Sequence, residues 1–458
     1  MKRNDQFVIE KIENSVYLLP VGQMIADLNK GIKINETCEF VWKQLAEDLS
    51  FEKFVGKCIE HFEPQEDEVE QLKQDIGNLI QSLKSRGMID GSRNIFRCGC
   101  SLCRNGAPVL SPAYKEPGLS VDGMNDGTVN DYCSEIVGEY LIGGLPVELC
   151  GDEAYFYESL EEFRVEDAKI EKSISQAMRI VITDVTGLQS DTDNKDGYYD
   201  EDYKNSENIG LIVNDGKDAE VDRISEDSTK RTVLIHHNEL TVLEYHDEYV
   251  LFFHELKGVE ELHLSKDGSY AHFYCDEPSD EVRFNLFHAI RMAFLVFALQ
   301  HGKVMLHSCS ILFEDMVWAF SGPSGTGKST HCEIWKRLFG TPIVNGDLNL
   351  IGIEDGVAYV YGTPWCGSSG VFENAKRRLG GIVLLKQAAD NRLEELGLEK
   401  KILYVQQRLI TSVWDRTMLE KTLTIVSEII KNIYVKRFYC NKDDEAGQLI
   451  HDDIVLSR

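Results

Sequence analysis

Basic side chains are in short supply: 48 Lys and Arg stand against 77 Asp and Glu in 458 residues, a formal net charge of −29. So acidic a chain repels nucleic acid and anionic membranes as general partners, and leaves room for a basic peptide or a local phosphate pocket. Long apolar runs are missing as well. The longest, residues 286–299, contains His288 and Arg291 and is too short to span a bilayer. The opening MKRNDQFVIEKIENS turns polar at once, unlike a signal peptide. These absences predict a cytoplasmic protein with no nucleic acid and no membrane as partner, and the length predicts two or three domains.

The twelve cysteines are mostly scattered, which in a reducing compartment predicts buried thiols acting as small hydrophobes. Cys98, Cys100 and Cys103 stand apart as C-x-C-x2-C, and Cys133 or Cys150 would complete a set of four for Zn²⁺ or an iron–sulfur centre. No second C-x2-C pair accompanies them, so a redox-active or incidental cluster stays open beside the metal site. Residues 185–231 are acidic and polar. Asp191, Asp193, Asn194, Asp196 and Asp200 lack the EF-hand spacing and its terminal Glu, so the stretch reads as a solvated loop rather than a calcium site. His236, His237, His263 and His272 read as packing or surface histidines.

The most informative stretch is 317–350. Residues 317–320 are a short apolar run that suits a buried strand. Gly322-Pro323-Ser324-Gly325-Thr326-Gly327-Lys328-Ser329 then meets the P-loop pattern G-x-x-x-x-G-K-[ST] at every fixed position, and a helix is predicted from Thr330 to residue 339. Backbone N–H groups of such a loop, with the positive helix end, cradle a polyphosphate. Lys328 would reach the β- and γ-phosphates of ATP. Ser329 offers a hydroxyl to Mg²⁺, and Asp347, after the apolar run 342–344, would hold the ion or take a proton.

Residues 1–90 read as a separate module. Strands are predicted at 7–9 and 16–19 around Glu13-Asn14, with 22–28 extending the sheet. Helices are predicted after the cap Asn35 with Phe40, Val41 and Leu45; over 50–61 with Phe51, Phe54, Val55 and Ile59 inward; and from Val69 to Leu83, closing at Gly87. This is a winged-helix arrangement. The runs from Gly31 to Trp42 and from Leu79 to Ile89 resemble PqqD, the peptide-recognition element of ribosomal peptide natural-product pathways. The resemblance implies that a precursor's leader peptide adds a strand to the sheet edge, here the third strand near 21–30, against the helix 69–83. A DNA reader is the alternative, disfavoured by the acidic run Glu66-Asp-Glu-Val-Glu70.

Residues 91–135 are rich in turn formers and read as a Cys-containing linker. Beyond them a β-rich lobe is predicted, with strands at 140–142, 146–149, 179–182, 232–235, 240–245, 249–253 and 271–275. A helix at 282–300 leads to a strand 304–306 ending at His307-Ser308, and a second strand 309–313 precedes the P-loop strand. Further strands are expected at 350–353, 358–361 and 379–385, and mainly helix thereafter. Lys376-Arg377-Arg378 reads either as a phosphate grip or as a solvated basic turn. Trp365 and Cys366 would line an acceptor site or lie in the core.

A His before a P-loop, the loop itself, then an acidic residue after the next strand resembles the HPr kinase/phosphorylase catalytic domain, which shares its fold with phosphoenolpyruvate carboxykinase. The resemblance implies that Lys328 binds ATP, Ser329 binds Mg²⁺, and His307 and Asp347 activate a serine hydroxyl. It also implies a homo-oligomer. The family has two adjacent aspartates where this chain has Asn345-Gly346-Asp347, so one carboxylate serves as base or metal ligand.

The expected architecture is α/β multidomain. It comprises a winged-helix α+β module at 1–90, the linker 91–135, a β-rich lobe and P-loop kinase domain of the HPr kinase/phosphoenolpyruvate carboxykinase type at 136–440, and a tail 441–458. The expected activity is an ATP- and Mg²⁺-dependent serine (or threonine) kinase acting on a precursor peptide held by its leader. Catalytic residues would be Asp347, His307 and Lys328; the nucleotide would lie on Gly322 through Thr330. A non-catalytic ATP-binding scaffold and a small-molecule kinase remain as rivals.

Overall fold

Glu13, at φ 53°, and Asn14 reverse the chain between β1 (Phe7–Ile12) and β2 (Ser15–Pro20), which pair antiparallel from Phe7↔Pro20 to Ile12↔Ser15. The computed structural model describes residues 2–4, 6–21, 31–47, 49–65, 68–85, 88–89, 136–165, 177–186, 232–236 and 239–457. The expected strand at 22–28 and the helix end at Gly87 lie outside these residues, as do the Cys98, Cys100 and Cys103 cluster and most of the acidic stretch. The third strand of the described sheet is β3 (Ile32–Ile34), on the far side of β2 from β1.

Three helices cover this sheet. In α1 (Glu36–Gln44) the Asn35 side chain accepts the Cys38 amide at 2.8 Å, satisfying one of the orphan donors of the first turn. α2 (Phe51–Phe62) is capped by Ser50 and stops at Glu63, whose φ of 44° cannot continue a helix. α3 is Val69–Ser85. Phe7, Leu18, Val41, Trp42, Phe54, Ile76 and Ile80 meet in one core. Trp42 is 1% exposed, and its truncation to Ala would cost ~3–5 kcal/mol. Phe51, expected inward, is exposed. It begins the helix, and the inward stripe starts a turn later with Phe54 and Val55.

The chain divides into two units. One comprises Met1–Phe96, Ile142–Leu145 and Leu295–Arg458, the other Arg97–Leu141 and Pro146–Phe294. The second is built on an eight-stranded sheet of β4 (Ile136–Ile142), β5 (Leu145–Cys150), β6 (Met178–Asp184), β7 (Thr232–His236), β8 (Leu240–Tyr245), β9 (Glu248–Phe253), β10 (Val259–Ser265) and β11 (Tyr270–Cys275), in the order β4-β5-β6-β11-β10-β9-β8-β7. β10 escapes the sequence reading because two of its inward residues are polar. Glu261 and His263 are 2% and 9% exposed and bond each other at 2.6 Å, so the strand buries a pair rather than apolar side chains. Helix α4 (Asp280–Gln300) is longer than its apolar run. It is long and apolar enough to cross a membrane by length and composition, but 72% of its most apolar window is buried within the protein, as in a core helix.

The P-loop belongs to a second large sheet, in the first unit. Its strands are β12 (Lys303–Phe313), β13 (Met316–Ser321), β14 (Ile343–Asn345), β15 (Leu348–Glu354), β16 (Val357–Tyr361), β17 (Lys376–Gln387), β18 (Arg392–Glu395), β19 (Leu409–Ile410) and β20 (Tyr434–Cys440). Pairings β13–β12, β12–β15, β15–β16, β16–β17 and β17–β13 close a five-stranded ring. Helices α5 (Lys328–Phe339), α6 (Leu398–Gln406), α7 (Arg416–Ile430) and α8 (Asp444–Leu456) accompany it. Trp335 of α5 packs with Ile450 and Ile454 of α8.

Three expectations need correcting here. The two strands expected on either side of His307-Ser308 are one, β12. One flank of that strand changes partner there: β19 pairs with Met305 and Leu306, β13 with Ser308 through Phe313. Lys376-Arg377-Arg378 is no turn but the start of β17, and its first two cations are spoken for by Glu354 and Glu373. The stretch after 385 carries the expected helices but also strands the sequence did not show: β20 runs parallel to β17, from Gly381↔Tyr434 to Gln387↔Cys440.

Candidate active site

Helix α5 begins at Lys328 with Gly327 as N-cap at φ 99°, and no side chain caps it. Its first-turn N–H groups therefore face the loop 322–327 without an internal partner, the arrangement that receives an anion. Gly325, at φ 76°, and Gly327 both take the left-handed conformation that a side chain would oppose. Thr326 N–H donates to Pro323 O at 3.2 Å, tightening the turn, and Gln387 Nε2 donates to Gly325 O at 3.0 Å from the end of β17. Pro323, Ser324 and Gly325 are exposed at the tip, as are Ser329 and Thr330.

Lys328 is 8% exposed, and its ammonium reaches Gly322 O at 3.4 Å. Burial lowers its pKa; Asp347 nearby pulls the other way. A buried ammonium so weakly satisfied by protein is matched to an anionic ligand. The donors present thus fit a nucleotide polyphosphate, and Ser329 and Asp347 are the side chains that would hold its Mg²⁺.

His307 and Asp347 come together. His307 Nε2 stands 3.1 Å from Asp347 Oδ1, with the two side chains 30% and 35% exposed. The backbone fixes both ends: Ser308 N–H donates to Asp347 O at 2.8 Å, His307 N–H donates to Arg408 O at 2.9 Å, and Ser321 Oγ donates to His307 O at 2.7 Å. His307 therefore sits where β12, β19 and the end of the P-loop strand meet.

Asp347 is presented by the turn between β14 and β15. Asn345 Oδ1 accepts both Asp347 N–H and Leu348 N–H at 2.9 Å, an Asx turn. Asn345 Nδ2 donates to Trp365 O at 3.3 Å, and its backbone N–H to Ser310 Oγ at 3.2 Å. Ser310 Oγ donates to Asn349 Oδ1 at 2.7 Å, and Asn349 Nδ2 to Ser308 O at 2.6 Å. Ser308, Ser310, Asn345 and Asn349 are all buried, so this mutually satisfied network rigidifies the strand ends that carry His307 and Asp347.

Trp365 and Cys366 are buried at 1% and 8% exposure, so both are core rather than acceptor-site lining. The role of Asn345 was missed in the sequence, although Asn-Gly-Asp after a strand is a turn signature that could have pointed to it. Among the described residues no group of three or more His, Cys, Asp and Glu side chains is arranged to hold a metal ion. Cys150 is fully buried at the end of β5.

No family model matches this chain, and no curated protein matches it. Among solved structures, the HPr(Ser) kinase/phosphatase from Coxiella burnetii is similar over 33% of this chain and 97% of that one, at 12% identity and a TM-score of 0.20. A likeness of that strength carries no weight for activity.

Proposed function

We propose that this chain is a Mg-ATP-dependent kinase that phosphorylates a serine (or threonine) hydroxyl of a ribosomally made precursor peptide, held by its leader at the N-terminal module. The observation that carries the catalytic half is the 3.1 Å approach of His307 Nε2 to Asp347 Oδ1 beside the uncapped P-loop helix. In this reading Asp347 takes the proton of the incoming hydroxyl and His307 positions its carboxylate. Lys328 and the first-turn N–H groups of α5 neutralise phosphate charge, which together with positioning is most of what phosphoryl transfer asks of a protein. Ser329 and Asp347 would hold Mg²⁺, which when bound would supply positive charge to the phosphoryl group.

For the peptide half, support comes from the PqqD-like pattern and from an edge. β3 pairs with β2, and its other edge has no strand partner among the described residues. Such an edge accepts an added strand. A module so bound raises the local acceptor concentration, to about the millimolar range for a flexible tether.

The test is the intact mass of a precursor peptide encoded beside this gene, incubated with Mg-ATP and the wild type or Lys328→Ala. A gain of one phosphate, lost in the variant, is the expected result. ATP binding without any gain would turn the reading to an ATP-gated scaffold that delivers the peptide to another enzyme.

A further inference from the structure

We propose that a row of side chains across β17, β20 and β18 docks acidic residues of the peptide substrate beside its acceptor hydroxyl; the inference rests on the peptide-kinase reading above, whose acceptor it describes. β13, β17 and β20 run parallel, so β17 and β20 finish at the end of the sheet where β13 gives way to loop 322–327. Ligands of parallel strands gather at that end. The last residue of β17 already touches the loop, Gln387 Nε2 donating to Gly325 O at 3.0 Å. One residue earlier, Lys386 pairs with Tyr439 of β20, and Tyr439 pairs with Arg392 of β18. Leu385 and Phe438 join the core that Trp335 of α5 enters. Side chains alternate along a strand, so Lys386 and Tyr439 take the face away from α5.

The row is an aromatic ring between two cations. Arg392 Cζ lies 3.9 Å and Lys386 Nζ 5.1 Å from the centre of the Tyr439 ring. Such contacts orient a cation without neutralising it. Both residues are exposed, and neither side chain has an ion pair or a hydrogen bond among the described residues. The neighbouring carboxylate is engaged: Glu394 accepts from Tyr439 Oη at 3.0 Å and stands 3.9 Å from Arg437, whose Cζ is 5.8 Å from the same ring. Lys386, Arg392 and Arg437 against Glu394 leave a local excess of positive charge on a chain of net charge −29. Within about 8–10 Å, the reach of a charge at ordinary ionic strength, that excess outweighs more distant acids. An anion completes the row, and the spacing says which kind. β17 and β18 flank β20 about 9–10 Å apart, wider than one carboxylate or phosphate, whereas acidic residues on one side of an extended chain recur every 6–7 Å.

The test is fluorescence anisotropy with the full chain and a labelled peptide in which one serine lies beside a run of aspartates, set against counterparts carrying asparagine or lysine instead. The wild type should bind the aspartate peptide about threefold to tenfold more tightly than the asparagine one, and less so as salt rises. Lys386→Glu together with Arg392→Glu should reverse the order and favour the lysine peptide, a readout that a misfolded variant cannot give. Saturating Mg-ATP should leave the aspartate peptide bound. Its displacement by ATP would overturn the assignment, since the row would then belong to the nucleotide. Equal affinity of the wild type for the aspartate and asparagine peptides would overturn it too, as would an unreversed order in the double variant. A wild type that shows the preference but transfers no phosphate from Mg-ATP to this peptide or to the precursor would remove the kinase reading and leave the docking surface standing.

Discussion

A Cβ on Gly346 would overlap the Ser369 hydroxyl, so the position beside Asp347 is closed to side chains. The hydroxyl is itself fixed, donating to Cys366 O at 2.6 Å and accepting from Val371 N–H at 3.2 Å, while Gly346 N–H donates to Val371 O at 3.1 Å. The loop 366–371 fills the space that a second aspartate would need. Gly346→Asp should therefore cost ~1–3 kcal/mol through overpacking and lower the melting temperature by several degrees. Adding Ser369→Gly should recover most of the loss. A single variant that melts with the wild type would show the loop to be free to move away.

If the proposed mechanism holds, His307 and Asp347 should not contribute equally. Asp347→Asn removes the proton acceptor and should lower kcat by about 10²–10⁴, while His307→Gln, which keeps a donor near the carboxylate, should cost less. Transfer rates at saturating ATP, followed by mass spectrometry, decide it. If His307→Gln proves the more damaging, the histidine is the base.

Stability of the β-rich unit should peak near neutrality. Burial works against a charged His263, but its bonds to Glu248 and Glu261 outweigh that and raise its pKa to about 9. Raised above the unfolded value, this group stabilises fully below about pH 6.5 and loses its contribution as pH climbs through 9. Burial lowers His272 to about 4, with charged His263 adding to the effect. That depressed pKa costs stability as pH falls from about 6.5 to 4, because the unfolded chain binds the proton first. Urea midpoints against pH should fall on both sides of about 6.5. His263→Gln should flatten the alkaline limb, and an unaltered limb would rule out His263 as its source.

Leader recognition predicts competition in trans. Free leader peptide should slow phosphorylation of full-length precursor and leave a leaderless core peptide unaffected. The Glu399 contacts of the module should matter little to stability. Tyr17 donates to Glu399 and Lys33 Nζ lies 3.2 Å from it, but Lys33 is 59% exposed, so Glu399→Ala should cost under ~1 kcal/mol in a denaturant melt. Equal inhibition of both peptides by the leader would place its binding at the active site instead.

Much of this was readable in the chain. The strand–loop–helix at 317–339, with Lys328 and Ser329 at the helix start, follows from local order, because such a loop needs consecutive residues at a strand-to-helix turn; His307 was singled out only by the family resemblance. The hairpin at Glu13-Asn14 and the cap Asn35 follow from turn and capping chemistry. What could not be read depends on register between distant segments. Arg408 meets His307 across roughly a hundred residues of sequence, and Ser369 meets Gly346 through a loop whose path no periodicity sets. β20 carries Lys436 and Arg437, so its half-buried pattern looks too polar for a strand beside β17. β12 looked broken at His307 because the histidine is polar; in the fold it is the ladder's partner that changes, not the strand.

The ring closed by the β13–β17 pairing gives the strand that feeds the P-loop neighbours on both flanks. Its amides alternate between the two ladders, so neither flank of the strand faces solvent. In deuterium labelling the backbone of 317–321 should be among the last to exchange, which anchors loop 322–327 to the slowest-opening part of the molecule.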